Sequence, residues 1–240
     1  SGLCAAVQEH QADLGIAVDP DADRCGLVDA NGEYLVEEYT LVIAVDAVLT
    51  HFRKVGSSML DKPVVTNLST TLAVDKVAAK YGVEVVRTPV GEINVTERMA
   101  QLDAAIGGEG NGGVILAESH LGRDSLVAAT LVLQQLTEKG TTLRDYYESL
   151  PQYVMSKQKV TIGDVDPDEL LQQVLEDASD AETDTQDGVK FTWSDHWVHL
   201  RKSNTEPILR VYAEAGSQQE ADEIASRYLA KLNQYASQLS

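Results

Sequence analysis

Between residues 37 and 150 the hydrophobic pattern switches repeatedly between two periods. From Glu37 to about Lys54 the apolar residues Leu41, Val42, Val45, Val48, Leu49 and Phe52 follow helical spacing with a wide buried face. Short apolar runs at 63–66, 83–87, 104–106 and 113–116 are strand-like. Between and after them come helical stretches at 70–81, closed by Gly82, at 92–102, and at 124–139, closed by Gly140. A short helix at 143–150 ends at Pro151. Helices alternating with short apolar strands predict an α/β layer, a mixed and mainly parallel sheet covered by helices.

The flanks read differently. Leu14–Val18 is expected to be a buried strand running into a loop at Asp19-Pro20. Segments 25–28 and 34–36 flank Asp29-Ala30-Asn31-Gly32, a hairpin signal. After Pro151 the segments 153–162, 189–193, 197–201 and 208–212 read as antiparallel strands. Helices are expected at 168–177 and 218–235, the latter with Ala221, Ile224, Ala225, Tyr228, Leu229 and Leu232 inward. The polar, acidic stretch 179–188 is expected to be mobile. This second part predicts a small α+β domain with an antiparallel sheet.

Charge and length exclude several functions. With 38 acidic and 19 basic residues the formal charge is −19, the wrong sign for a nucleic-acid face or for an anionic membrane. The dispersed acid reads as a soluble surface, with haloadaptation as a second reading. No apolar run approaches the roughly 18 residues of a membrane span; the longest, 41–49, is broken by Asp46. Residues 1–10 lack the basic and apolar regions of a signal peptide. Cys4 and Cys25 cannot make a disulfide framework, and no Cys-x-x-Cys occurs, so a reduced, cytoplasmic setting is expected.

Three loops carry chemistry. Asp19-Pro20-Asp21-Ala22-Asp23-Arg24 places carboxylates at alternate positions, where extended backbone can turn them toward one hard cation. An EF-hand is excluded, because its sixth and twelfth loop positions would be Arg24 and Ala30. A solvated acidic turn remains the alternative. Arg24 would stand beside the cation as an anion-binding guanidinium. Gly107-Gly108-Glu109-Gly110-Asn111-Gly112-Gly113 lets backbone approach a ligand, with one carboxylate and one amide to meet sugar hydroxyls; the alternative is a flexible turn. No Lys-Ser/Thr follows, so it is not a P-loop. Arg201-Lys202-Ser203-Asn204-Thr205-Glu206-Pro207, with Arg210 beyond, groups guanidiniums and hydroxyls around a turn, a phosphate cradle or else a surface hairpin with incidental charge.

Other tempting residues read as structural. His10, His51, His120, His196 and His199 show no metal spacing. Trp193 and Trp197 read as packing, Cys25 as buried filler, and Asp124 as a helix N-cap or tether.

In series, the three loops resemble the α-D-phosphohexomutase family. Asp19–Arg24 is similar to its Asp-Gly-Asp-x-Asp-Arg metal loop, with Pro20 for the usual Gly. Gly108–Gly112 is similar to its Gly-Glu-x-Ser-Gly-His sugar loop, with Asn111 for Ser and the following Gly113 for His. Arg201–Pro207 matches its phosphate loop, and Thr88-Pro89-Val90-Gly91 and Gly122-Arg123-Asp124 are family-like. The resemblance implies a phosphosugar mutase that moves phosphate between positions 1 and 6 of a hexose through a phosphoserine and a bisphosphate. It implies Mg²⁺ held by Asp19, Asp21 and Asp23, and Arg24 as the catalytic contact to the serine phosphate. It further implies sugar gripped by Glu109 and Asn111, and the non-reacting phosphate held by Arg201, Ser203, Asn204, Thr205 and Arg210. Phosphoglucosamine or phosphomannose is the expected substrate.

The family's catalytic-serine motif is not in the chain; Ser119-His120 leads into Leu121-Gly122 instead. The chain is therefore expected to be a C-terminal fragment, inactive by itself, whose partners are a hexose phosphate and the N-terminal domains of the same protein. Residues 1–36 would end a second domain, 37–150 form a third and 151–240 a fourth. Two alternatives stand beside this reading: a non-catalytic sugar-phosphate-binding module, and a Mg²⁺-dependent phosphatase with Asp19 or Asp21 as nucleophile.

Overall fold

The computed structural model describes residues 2–162, 165–176, 180–203, 206 and 208–239. The chain forms two compact units, Ser1–Pro151 and Gln152–Ser240. Among the described residues no helix is long and apolar enough to cross a membrane.

The first unit opens with α1 (Gly2–His10), then β1 (Leu14–Val18) and β2 (Cys25–Asp29). These strands pair antiparallel, from Leu14 opposite Asp29 to Val18 opposite Cys25, so 19–24 is a hairpin tip. The hairpin expected across Asn31-Gly32 shrinks to a single bridge between Val28 and Tyr34. Asp29 explains why: its carboxylate accepts the backbone N–H groups of Asn31 and Glu33, each at 2.9 Å, and turns the chain locally. The expectation of a buried first strand is also corrected. Ile16 and Val18 are exposed, because only alternate residues of β1 face protein.

Next come α2 (Glu38–Val55), β3 (Val64–Asn67), α3 (Ala73–Ala79), β4 (Val85–Thr88), α4 (Glu92–Leu102), β5 (Ile106–Glu109), β6 (Gly113–Leu116), α5 (Ser125–Lys139) and α6 (Leu143–Ser149). The sheet order is β4-β3-β5-β6; β3 is parallel to β4 and β5, and β6 is antiparallel to β5. This is the mixed, mainly parallel sheet that the alternation predicts. Val65, Val95, Met99, Ala104 and Ile115 form the cluster beneath α4.

Helix α2 is buried along every residue from Glu38 to Leu49, since it packs on β5 and β6 and against α3 and α5. Asp46, the charge in its apolar run, is held by a polar knot. Tyr81 Oη donates to it at 2.6 Å, Gln135 Nε2 at 3.0 Å, and Tyr146 Oη closes the set. Burial, then the Asp46 carboxylate, pushes the Tyr81 hydroxyl up to about 12 and moves Tyr146 in the same direction. A second tie joins the hairpin to α6: Arg144 Nε donates to the buried Asp29 at 2.6 Å. Burial raises Asp29, but the Glu33 N–H and Arg144 outweigh it and hold the carboxyl below its usual range.

The glycine-rich run is half strand. Gly107 and Gly108 lie in β5 because their neighbours leave no room for a side chain. A Cβ on Gly107 would stand 2.5 Å from the Val65 carbonyl oxygen and 2.6 Å from Met99 Sδ. These glycines serve close packing rather than the flexibility a turn would need.

The second unit contains β7 (Val154–Thr161), α7 (Pro167–Glu176), β8 (Glu182–Asp184), β9 (Val189–Thr192), β10 (Trp197–Lys202), β11 (Ile208–Ala215) and α8 (Gln218–Leu239). All strand pairs are antiparallel, in the order β7-β11-β10-β9-β8. The acidic stretch expected to be mobile contributes β8. Leu170, Val174, Ala221, Ile224, Ala225 and Leu232 of the helices pack on Phe191, Val198, Leu200, Leu209, Val211 and Ala213. By the two-residue alternation, Lys190, Trp197, His199, Arg201, Arg210, Tyr212 and Glu214 occupy the other face.

Several of those residues are buried. Trp197 donates its indole N–H to Glu214 at 2.8 Å, and the Lys190 ammonium lies 4.5 Å from the Trp197 ring centre. His199 donates from Nε2 to the Asp187 carbonyl at 2.6 Å, and burial pulls its pKa down to about 4.

Candidate functional site

The hairpin tip is folded by its own first carboxylate. Asp19 Oδ1 accepts the backbone N–H groups of Asp23 at 3.1 Å and Arg24 at 3.2 Å, and Oδ2 accepts Arg24 Nε at 2.6 Å. Partial burial raises Asp19, but the Arg24 guanidinium and those N–H groups outweigh it and leave the carboxyl below its usual range. Ala22 takes a left-handed φ of 59°, and its carbonyl accepts Ser125 Oγ at 2.7 Å, which pins the tip to the start of α5. Asp124 caps that helix, accepting the N–H groups of Leu126 and Val127.

The structure does not gather Asp19, Asp21 and Asp23 into one cluster. Asp21 is exposed, Asp19 is turned onto Arg24, and Asp23 Oδ2 accepts Arg123 Nη2 at 2.6 Å. Among the described residues no group of three His, Cys, Asp or Glu side chains converges as a metal ion would require. One atom nonetheless fits a cation. Asp23 Oδ1 is buried without a hydrogen-bond partner, its near cation being Arg24 Nε at 3.8 Å. An orphan carboxylate oxygen and two more carboxylates on the same six-residue tip have the hard-oxygen chemistry that a divalent ion takes, although their side chains are not converged.

The sugar-type loop lies against this tip. The Cys25 N–H donates to the Gly112 carbonyl at 3.0 Å, joining the two loops through backbone. Glu109 is buried, and its oxygens are engaged. Oε1 accepts Asn67 Nδ2 at 2.7 Å and the Gly91 N–H at 3.1 Å; Oε2 accepts Arg123 Nη1 at 3.1 Å and Asn111 Nδ2 at 3.5 Å. Asn111 Oδ1 accepts the Gly113 N–H at 3.1 Å, which fixes the turn. The Thr88–Gly91 segment thus supplies a backbone donor to Glu109, while Arg24, Asp23, Glu109 and Asn111 belong to one neighbourhood.

Sequence reasoning missed the residues that organise it. Asn67 and Arg123 hold Glu109, and Glu92 stands 3.3 Å from Arg123 Nε. Arg123 was legible only as part of a family-like tripeptide. Asn67, at the end of a buried strand, carried no local signal.

In the second unit, Arg201 and Arg210 sit directly opposite on paired β10 and β11. Arg201 Nε is buried without a hydrogen-bond partner, 3.6 Å from Asp187 Oδ2. Arg210 Nη1 donates to Tyr212 Oη at 3.1 Å, with Glu206 at 3.8 Å from Nη2. The Ser203 N–H donates to the Ile208 carbonyl at 3.0 Å, closing the base of the loop. Asn204 and Thr205 lie outside the described residues. Lys202 leaves the group: it reaches the other way to Asp168, at 2.8 and 3.0 Å.

Sequence profiles of the phosphoglucomutase/phosphomannomutase family match in consecutive order. Alpha/beta/alpha domain II matches residues 1–32, alpha/beta/alpha domain III 37–154, and the C-terminal domain 155–231. A phosphoglucomutase/phosphomannomutase of Thermococcus kodakarensis is 34% identical over 92% of this chain and 47% of its own length. A phosphoglucosamine mutase of Methanocaldococcus jannaschii is 30% identical over 89% of this chain and 47% of its own. The chain thus spans about half the length of these curated relatives.

Solved structures share the fold. A phosphoglucomutase/phosphomannomutase family protein of Burkholderia thailandensis superposes with a TM-score of 0.80 at 20% identity, covering 99% of this chain and 50% of that one. The Aspergillus fumigatus N-acetylphosphoglucosamine mutase, determined with GlcNAc-6P and magnesium, gives 0.65 at 17% identity, covering 90% and 51%. With three consecutive profiles of one family spanning both units, the chain belongs to the phosphoglucomutase/phosphomannomutase family, the α-D-phosphohexomutases.

Proposed function

We propose that this chain supplies the cation, sugar and phosphate sites of a phosphohexomutase that interconverts hexose 1- and 6-phosphates. Residues 1–36, 37–150 and 151–240 would correspond to the end of the second domain, the third and the fourth. The observation that carries the reading is the meeting of the acidic tip and the glycine-rich loop, through the Cys25–Gly112 backbone bond and the shared Arg123.

Asp19, Asp21 and Asp23 would hold Mg²⁺, with the orphan Asp23 Oδ1 as the atom most in need of it. When bound, the ion would neutralise charge on a phosphoryl group. Arg24 stands beside it as the guanidinium for the same group. Glu109 and Asn111 face the sugar hydroxyls; the 3.5 Å Asn111–Glu109 contact is the long one, and a hydroxyl would take it over at small cost. Arg201, Ser203, Asn204, Thr205 and Arg210 hold the phosphate that is not reacting. Catalysis by such a set is positioning and charge stabilisation. The phosphoserine lies outside this chain. Phosphoglucosamine or phosphomannose is the favoured substrate; the Methanocaldococcus jannaschii relative is a phosphoglucosamine mutase. A cytoplasmic setting fits the absence of a disulfide framework.

The test is an assay of the complete natural protein with glucosamine, mannose and glucose 1-phosphates, beside the 240-residue chain. The complete protein should convert at least one of them, and the chain none. Turnover by the chain itself, with contaminants excluded, would overturn the placement of the serine.

A further inference from the structure

Arg123 is a shared cation that links three segments of the first unit. Its side chain is 18% exposed and faces three carboxylates: Asp23 Oδ2 at 2.6 Å, Glu109 Oε2 at 3.1 Å and Glu92 Oε2 at 3.3 Å. Its backbone N–H is fixed as well, donating to Glu92 Oε1 at 2.8 Å. The acidic tip, the glycine-rich loop and the start of α4 therefore meet on one guanidinium. A planar guanidinium fork carries five N–H donors in fixed directions, so it can meet separate carboxylates at once.

The room for this side chain comes from Gly113. A Cβ at that position would run into Arg123 Cδ and lie 3.0 Å from Arg123 Cγ and from Asn111 Oδ1. Gly113 is also where the sugar-loop pattern resembled by this sequence has histidine. The space left by the missing side chain at 113 is where the Arg123 stem lies.

We propose that Arg123 is a positioning residue that couples the sugar loop to the cation loop. This rests on the proposed function. Arg123 holds Glu109 in place for a sugar hydroxyl, and the same guanidinium competes with a divalent cation for Asp23. The two ligands therefore feel Arg123 with opposite sign. Removing it frees Asp23 for the cation and releases Glu109 from its sugar-binding position. A purely structural arginine would weaken both on removal.

The 240-residue chain carries all of these groups, so binding can be read on it directly, with Mn²⁺ and glucosamine 6-phosphate as probes. In Arg123→Gln, Mn²⁺ should bind about fivefold tighter or more, and glucosamine 6-phosphate about fivefold weaker or more. Unchanged Mn²⁺ affinity, absence of Mn²⁺ binding in both proteins, or loss of both affinities overturns the proposal. If the unmodified chain does not bind glucosamine 6-phosphate, the assignment of an amino-sugar phosphate to these loops fails, and the Mn²⁺ arm alone decides Arg123. A stability cycle tests the geometry independently of any ligand. Gly113→His should lower the Tm, and adding Arg123→Ala should restore part of it; additive losses overturn the shared-space argument.

Discussion

In the first unit Asp19 meets Arg24 at 2.6 Å, Asp29 meets Arg144 at 2.6 Å, Asp75 meets Arg87 at 2.5 Å, and Arg123 serves Asp23 and Glu109 together. In the second unit the cations of the helix-free face stand abreast. Lys159 is opposite Arg210, Arg210 is opposite Arg201, and the acids near the two arginines lie 3.6 and 3.8 Å away. These guanidiniums of the first unit are paired with its own carboxylates, so the loops they hold are organised before any ligand arrives. The second keeps like charges side by side, which costs stability and is relieved by an anion. On the proposed function, positioning hydroxyls and a cation calls for the former and capturing phosphate calls for the latter.

The sharpest way to break this contrast is to remove a buried partner in the first unit. Arg144→Ala leaves the Asp29 carboxylate, 0% exposed as a residue, without its guanidinium. The expected loss is about 3–4 kcal/mol in chemical denaturation, because an unpaired buried charge costs more than the pair contributed. Adding Asp29→Asn should recover part of it. A loss below about 1 kcal/mol would mean that the ion pairs of the first unit are decoration, in the range of exposed surface pairs.

Acid separates the units by a different group. His199 is buried and neutral, with its pKa pulled from 6.5 to about 4 by burial. The unfolded chain therefore binds the extra proton first. Stability from this group is full above about pH 6.5 and falls as pH drops toward 4, by at most about 3 kcal/mol. Asp19 and Asp29, held below their usual range, contribute stability that disappears only at still lower pH. His199→Gln should flatten the second unit's Tm between pH 6.5 and 4 and leave the lower-pH loss in place. An unchanged profile in that window would remove His199 as its cause.

What the residue order revealed follows the same division. Strand and helix periods between 37 and 150 are local, and they delivered the α/β sheet. The three loops are also local, and their residue types were readable. Pairings over long separations were not. The Asn31-Gly32 signal marked a turn that closes only a short antiparallel bridge, while the pairing of β1 with β2 across the acidic tip had no such signal. Asp46 looked like a break in an apolar run, since its partners Tyr81, Gln135 and Tyr146 come from three distant segments. Gly107 looked like loop because its reason, the Val65 carbonyl, belongs to another strand. In the candidate site, Glu109 was found and Asn67 was not: a carboxylate among glycines announces itself, while an amide at a strand end gains its role only from the fold.

The smallest expected effect is the most discriminating. Arg210→Gln removes the middle cation of the Lys159–Arg210–Arg201 row. The lost Tyr212 contact and the distant Glu206 pair weigh against relief of repulsion from two neighbours. The net change should be small, a gain of about 0.5 kcal/mol or less, while affinity for inorganic phosphate should fall about tenfold with loss of a charge-assisted donor. Arg24→Gln should behave in the opposite way toward stability, because Asp19 would lose the partner that folds the tip. Denaturation midpoints beside phosphate titrations of both variants decide it. If Arg210→Gln destabilises the chain and leaves phosphate binding intact, the row is a structural feature of the sheet, and the two units do not differ in how they prepare for a ligand.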